Sequence, residues 1–343
     1  MGEEGDRMRA AVVYEHGGRE KIVLEDHYPE PMPDAGWVKL RVRATSLNYH
    51  DIFSRRGMPG IHLPLPLIIG SDVAGEVAAW GPGVEGLALG DRVLVDPLPS
   101  LENAGRMIGE GFDGGRAEYC LAHASQLVPL PSAVDFETAS AIPLAYATAH
   151  RLMVTRGRIE AGETVLVLGA SGGVGTACVL LAKAAGAEVI ACASSTSKLE
   201  KLRGLGADHV IDYTCEDMRK AVWEIVGKPR IVGIGGVDMV VNSTGGGTWK
   251  DSIRCMKAGA RLLTCGATAG FDESLDVRYV WTYEHQLMGS NGWRRSDIET
   301  MLAYAESGRL MPVIDRILPL EEVREAERLL EEREVFGKVV VTP

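Results

Sequence analysis

No two of the six cysteines (Cys120, Cys178, Cys192, Cys215, Cys255 and Cys265) stand as a Cys-x-x-Cys pair. That absence excludes a compact four-cysteine zinc lobe and a disulfide framework. Four of the six lie in apolar strand or helix contexts, where a small buried thiol is the ordinary reading. Apolar runs long enough to cross a bilayer are also missing, and the opening MGEEGDRMR has no basic region leading into an apolar stretch. The expectation is a cytosolic protein with no membrane partner. The apolar strand pattern begins only at Arg9, so the residues ahead of Met8 read as an extended or alternative start. Positive charge is in deficit. Lys and Arg number 36 against 47 Asp and Glu, a net −11 that repels a nucleic-acid backbone on average, although a local basic spot can still hold an anion. Aromatics are only 6%, but 46% hydrophobic and 24% charged residues leave ample material for packed cores and exclude extensive disorder.

Glycine, by contrast, is plentiful. The 41 glycines fall mostly at turns between short apolar runs, and 343 residues exceed one ordinary core, so two domains sharing a cleft are expected. From Met8 to about Leu130, short β-like runs are broken by Pro and Gly. Trp37 to Arg43 alternates cleanly, and Val73 to Val77 and Arg92 to Val95 follow, which predicts a β-rich domain. Asp96 to Gly115 has no periodicity and reads as a long surface loop. An Ala-rich helical stretch over Glu137 to Val154 then leads into a strand-then-helix rhythm. Its strands are predicted at 164–168, 188–192, 209–211, 237–241 and 261–265, with helices at 174–185 and 198–205 between them. Near-continuous apolar strands alternating with helices predict a parallel sheet covered on both faces. The tail from Ile298 predicts two amphipathic helices and a final strand, 337–341, returning to the first domain. The fold class is therefore α/β, with a β-rich domain over 8–137 completed by 293–343 and a doubly wound parallel-sheet domain over 138–292.

The chemistry concentrates at Gly169-Ala-Ser171-Gly172-Gly173-Val174-Gly175, between a strand and a helix. Gly169 suits the tight turn, Gly172 and Gly173 let backbone N–H groups approach a pyrophosphate, and Gly175 allows close packing of helix on strand. The helix dipole favours the anion. Where the second strand ends, Ser194, Ser195, Thr196, Ser197 and Lys198 follow with no Asp or Glu to accept from a ribose 2′-hydroxyl. Small hydroxyls and Lys198 suit a 2′-phosphate, so NADPH is favoured over NADH. The same serines also suit the cap of the next helix, and both roles are compatible.

Taken together, Ser46-Leu-Asn48-Tyr49-His50-Asp51, Gly70-Ser-Asp-Val-Ala-Gly-Glu-Val77, Gly81-Pro-Gly-Val84, Gly90-Asp-Arg-Val93, the Gly169 to Gly175 turn and Phe336-Gly-Lys-Val-Val340 resemble the medium-chain dehydrogenase/reductases. Within them the similarity is to the quinone oxidoreductase and enoyl-thioester reductase branches, and it runs from Met8 to Pro343. The resemblance implies a GroES-like catalytic domain, a Rossmann cofactor domain, a cleft between them and commonly a homodimer. It further implies that Asn48 faces nicotinamide and substrate, and that His50 stands where zinc dehydrogenases place a proton-relay hydroxyl. Thr148 is turned toward the nicotinamide. Thr244, the Cys265-Gly266-Ala267 run and Asn291 line its side of the site. Tyr213 packs near the adenosine phosphate or serves as a core aromatic. Lys338 reaches a cofactor phosphate or is a solvated strand-end lysine.

The departures bear on the chemistry. Zinc alcohol dehydrogenases of this family carry Cys where this chain has Asn48, His-Glu where it has Ser71-Asp72, and usually Cys near Leu144. Three ligands around one ion are therefore not available, and no metal is expected. Without zinc to acidify an alcohol, hydride delivery to an already electrophilic carbon is favoured, as in a quinone, enone or enoyl thioester. Hydrogen-bond donors must then stabilise the developing enolate. Asn48, Tyr49 and His50 are the catalytic candidates. His50 is either the proton donor or a structural partner in its loop, and Tyr49 is an equal donor; Asp51 is read as a structural anchor. The tyrosine some enoyl-thioester reductases use downstream has no match in Arg56-Gly-Met-Pro59. The alternatives are a zinc-free alcohol dehydrogenase or carbonyl reductase and a non-catalytic NADPH-binding protein. The expected partner is a small electrophilic molecule, with no nucleic acid.

Overall fold

The computed structural model describes residues 6–57, 63–98, 106–272 and 274–343. The chain forms two compact units, Met1–Leu144 with Ile298–Pro343, and Ala145–Asp297.

The first unit begins with β1 (Arg7–Val13), β2 (Ile22–Pro29), β3 (Trp37–Ser46), helix α1 (Tyr49–Arg56), β4 (Leu67–Ile68), β5 (Asp72–Trp80), β6 (Arg92–Val95), β7 (Tyr119–His123), β8 (Leu127–Pro129) and α2 (Phe136–Ser140). The alternation of β3 sends Val38, Leu40 and Val42 into a core shared with Val73, Val77, Val93 and Val95, as period-two patterning requires of a half-buried strand. The second unit runs through α3 (Ala147–His150), β9 (Thr164–Val167), α4 (Gly173–Ala184), β10 (Glu188–Ala193), α5 (Thr196–Gly204), β11 (His209–Asp212), α6 (Met218–Val226), β12 (Val237–Val241), α7 (Thr248–Cys255), β13 (Met256–Thr264), α8 (Val277–Thr282) and β14 (Gln286–Gly289). Its sheet order is β11-β10-β9-β12-β13-β14, all parallel, so the order reverses between β9 and β12. Ligands of such sheets bind beyond the strand ends at that reversal.

The chain returns through α9 (Arg295–Glu306), β15 (Ile314–Pro319), α10 (Val323–Glu331) and β16 (Lys338–Thr342). β16 lies antiparallel to β3, with Val340 opposite Ser46 and Val341 opposite Thr45, and β15 pairs parallel to β16. β15 is not predicted from the sequence: its burial alternates weakly, and it is an edge strand whose partner comes from later in the chain.

Two further expectations are corrected. The helical stretch over 137–154 is interrupted by π-type turns at Ile142–Tyr146 and Arg151–Arg156. Pro143 lacks the N–H that would continue the ladder, and the next amide, Leu144 N–H, donates sideways to Asp72 Oδ1 at 2.9 Å. Residues 106–115, the described end of the expected surface loop, are partly interior. Ile108 is fully buried, and Gly109 and Gly114 press on the backbone of Gly70 so closely that a Cβ on either would overlap it. No helix among the described residues is long and apolar enough to cross a membrane.

Candidate active site

In the second unit, the turn from β9 to α4 separates two kinds of glycine. Gly169 has φ +61°, and a Cβ on Gly175 would lie 2.2 Å from the carbonyl oxygen of Gly169, so both are required by the turn and by helix-on-strand packing. Gly172 has an ordinary φ of −83°, and a Cβ there would meet nothing nearer than 3.6 Å. Nothing in the protein demands a glycine at 172; a ligand approaching the backbone would. Gly172 is the N-cap of α4 with no capping side chain, which leaves the first-turn N–H groups of Gly173 and Val174 for an anion. Ser171 lies in the same turn. Thr244, after β12, sits against it: a Cβ on Gly169 would come 3.2 Å from Thr244 Oγ1.

At the ends of β13 and β14, a cavity of about 690 Å³ is lined by Cys265, Gly266, Ala267, Ser290 and Asn291 together with the apolar Trp249, Phe271 and Leu275. Gly266 and Gly289 again have no protein atom within about 3.8 Å of a notional Cβ. The Ser290 hydroxyl is buried with no hydrogen-bond partner, an orphan that a bound polar group would satisfy. Burial pushes the Cys265 thiol up, against a 3.0 Å contact with Ser243 Oγ that pulls it down, so it lines the cavity as a neutral thiol. The turn and the cavity rim fit a dinucleotide.

Beyond β10, the Ser195 hydroxyl caps α5 by accepting from Lys198 N–H at 3.4 Å, and Ser194 is half-buried beside it. Tyr213 follows β11 with 44% exposure, which removes its core-aromatic alternative. Thr148 is buried on α3.

In the first unit, Asn48, Tyr49 and His50 open α1. Asn48 N–H donates to Asp51 Oδ2 at 2.9 Å, and Asp51 also accepts from Arg116 Nη2 at 3.0 Å, so Asp51 anchors the start of the helix. Burial raises the Asp51 carboxyl above the usual range against the pull of Arg116. Arg116 in turn bonds Glu327 of α10, which accepts from Arg55 Nε at 2.6 Å; all four side chains are buried. Tyr49 packs edge-on against Phe53. The His50 imidazole is partly exposed, its Nε2 3.3 Å from Glu110 Oε2. Burial lowers the His50 pKa, but the Glu110 hydrogen bond and the charges of Asp51 and Glu110 outweigh it, and the net shift is upward.

Lys338 is where the structure departs most from expectation. Its ammonium does not lie in solvent. It is buried at the start of β16, donating to Leu47 O (2.8 Å), Asn48 Oδ1 (2.5 Å) and Asp72 Oδ2 (3.2 Å). Asp72 Oδ2 also accepts from Ser46 Oγ (2.7 Å) and Asn48 Nδ2 (2.8 Å). Asp72 was visible as half of the Ser71-Asp72 pair that replaces His-Glu and Lys338 as part of Phe-Gly-Lys, but their contact joins residues 266 apart and has no local signal. Glu110 likewise lies 60 residues from His50.

These residues do not fit a zinc ion. Leu144 offers only its backbone, the Ser71 hydroxyl is directed to Asp51 at 3.5 Å, and the oxygens of Asn48 and Asp72 already hold an ammonium. No group of three His, Cys, Asp or Glu among the described residues is placed to hold a metal ion.

Comparison with known proteins agrees with this architecture. The alcohol dehydrogenase GroES-like domain matches residues 34–132, and the family described as zinc-binding dehydrogenase matches 173–307. The NADPH-dependent alkenal/one oxidoreductase, chloroplastic, of Arabidopsis thaliana is 33% identical over 98% of this chain and 80% of its own length. The quinone oxidoreductase of Homo sapiens is 29% identical over 97% of each. A solved NAD-dependent alcohol dehydrogenase superposes with a TM-score of 0.90 at 37% identity, over 98% of this chain and 100% of its own. With both domain types in order and a relative above 30% identity along nearly its whole length, the chain belongs to the medium-chain dehydrogenase/reductase superfamily of nicotinamide-dependent oxidoreductases, in its quinone oxidoreductase and enoyl reductase-like branch.

Proposed function

We propose that the protein is an NADPH-dependent reductase of activated alkenes or quinones that works without zinc. The observation that carries the reading is the side-chain set at Asn48: hydrogen-bond donors and an internal ammonium stand where a Lewis acid would need ligands. The names of the alkenal/one and quinone oxidoreductase relatives support the acceptor class. For the cofactor, Gly172, Gly173 and Val174 hold the pyrophosphate with Ser171 beside them, and Ser194, Ser195 and Lys198 hold the 2′-phosphate with Tyr213 near it. Thr148, Thr244, Cys265, Gly266, Ala267 and Asn291 surround the nicotinamide.

The acceptor is a conjugated C=C–C=O. When bound, reduced nicotinamide supplies a hydride to the β-carbon, and the alkene electron pair moves onto the carbonyl oxygen as an enolate. Asn48 donates to that oxygen through Nδ2. His50 then delivers a proton to the α-carbon, which completes a two-electron, two-hydrogen reduction, with the Tyr49 hydroxyl as the competing donor. The same reading carries a cytosolic homodimer divided at 8–137 with 293–343 and 138–292, acting on a small molecule and not on nucleic acid.

A second reading, oxidation and reduction of an alcohol–carbonyl pair, is favoured by the solved alcohol dehydrogenase neighbour. The test is a substrate panel. NADPH consumption with enones or quinones, and none with saturated aldehydes, is the expected result. Alcohol-driven reduction of NADP⁺ would favour the second reading, and tight NADPH binding without turnover would leave a binding protein.

A further inference from the structure

Resting on the reading above, we propose that Lys338 is a positioning residue for the reduction: its buried ammonium locks the Asn48 carboxamide with the nitrogen facing the substrate oxygen and places a positive charge directly behind that donor.

Hydrogen-bond chemistry fixes the orientation. An ammonium has only donors, so the carboxamide atom 2.5 Å from Lys338 Nζ must be Asn48 Oδ1. A carboxylate has only acceptors, so the atom 2.8 Å from Asp72 Oδ2 must be Asn48 Nδ2. One Nδ2 hydrogen is spent on Asp72, and the second has no acceptor among the described residues. That leaves one uncommitted, neutral donor, polarised through its own carboxamide by the ammonium on the oxygen side. The position of Lys338 is itself over-determined. The pairing of β16 with β3 sets its backbone, and the preceding Gly337 has φ +95° with its α-carbon against Val313 O, where a Cβ would lie 2.3 Å away.

A lysine that only neutralised Asp72 would become dispensable once Asp72 had lost its charge. Asp72 already accepts from Ser46, Asn48 and Leu144, and removing both members of a buried ion pair together is often neutral for stability, whereas removing one leaves an uncompensated charge. The two roles therefore separate experimentally.

The experiment compares the NADP(H)-loaded wild type with Lys338→Met and with the charge-free pair Lys338→Met/Asp72→Asn. It measures melting temperature, NADPH affinity by fluorescence, kcat with an enone, and affinity of the NADP⁺ complex for 4-nitrophenolate as an enolate mimic. Lys338→Met is expected to lower the melting temperature. The pair is expected to recover it while kcat stays down on the order of 10²-fold and phenolate binding weakens about tenfold, with NADPH affinity unchanged. Recovery of kcat and phenolate binding in the pair would overturn the proposal, as would a loss confined to NADPH affinity. The phenolate readout stands even where the wild type turns over no enone, so failure of the functional reading and failure of the role of Lys338 remain distinguishable.

Discussion

His50 is one of the residues on which the proposed chemistry turns. Glu110, Asp51 and partial burial act on it together, and the two carboxylates prevail, so its imidazolium persists above the usual histidine range. Glu110 is correspondingly held low by the His50 hydrogen bond. If His50 donates the proton, the active form is the protonated one. Activity is then full below its raised pKa and is lost as pH rises through it. Glu110→Gln removes an upward contribution, so the alkaline limb of the kcat profile is expected to move to lower pH. His50→Ala is expected to lower kcat on the order of 10²-fold with little change in cofactor affinity. An unchanged kcat in that variant would assign the proton to Tyr49 or to solvent.

The strand–turn–helix of β9 and α4 shows what a glycine motif encodes. Gly175 answers to packing, Gly172 answers to a ligand in the proposed reading, and the two make opposite predictions. Gly175→Ala forces a methyl group against the Gly169 carbonyl and is expected to cost about 1–3 kcal/mol of stability, read by denaturant unfolding. Gly172→Ala is expected to leave stability within about 1 kcal/mol and to weaken NADPH binding at least tenfold, read by fluorescence titration. Equal stability losses would show that the turn serves the fold alone. This element was fully legible in the sequence, because all its determinants lie within twelve residues. β10 to β12 were legible for the same reason, through their unbroken apolar runs. The interruption of the helical stretch was not. Pro143 was visible, but the stabilising acceptor, Asp72, lies 72 residues away from Leu144. The interior course of 106–115 was equally hidden, since glycines that look like loop punctuation are there to let backbone pass Gly70.

Over the whole molecule, charge of both signs is used internally despite the net −11. In the first unit, Arg55, Arg116, Asp51 and Glu327 form a fully interior ion cluster that joins α1 to α10, and Lys338 joins β16 to β5 through Asp72 and to the start of α1 through Asn48. Both clusters bring the C-terminal return to α1 and its N-cap, so Glu327 and Lys338 bear on the proposed chemistry as well as on the fold. Such pairs were the least readable feature of the sequence, because charged residues give no periodic signal and their partners are fixed only by the completed topology.

In the proposed reaction, hydride goes to carbon of a polarised double bond without help from a metal. Turnover of a simple enone with NADPH deuterated at nicotinamide C4, on protein first exhaustively treated with chelator, tests this in one product spectrum. The predicted product is the saturated ketone with deuterium on the β-carbon, formed at an undiminished rate. An allylic alcohol with deuterium on the former carbonyl carbon, or a rate abolished by the chelator and restored by zinc, would contradict it.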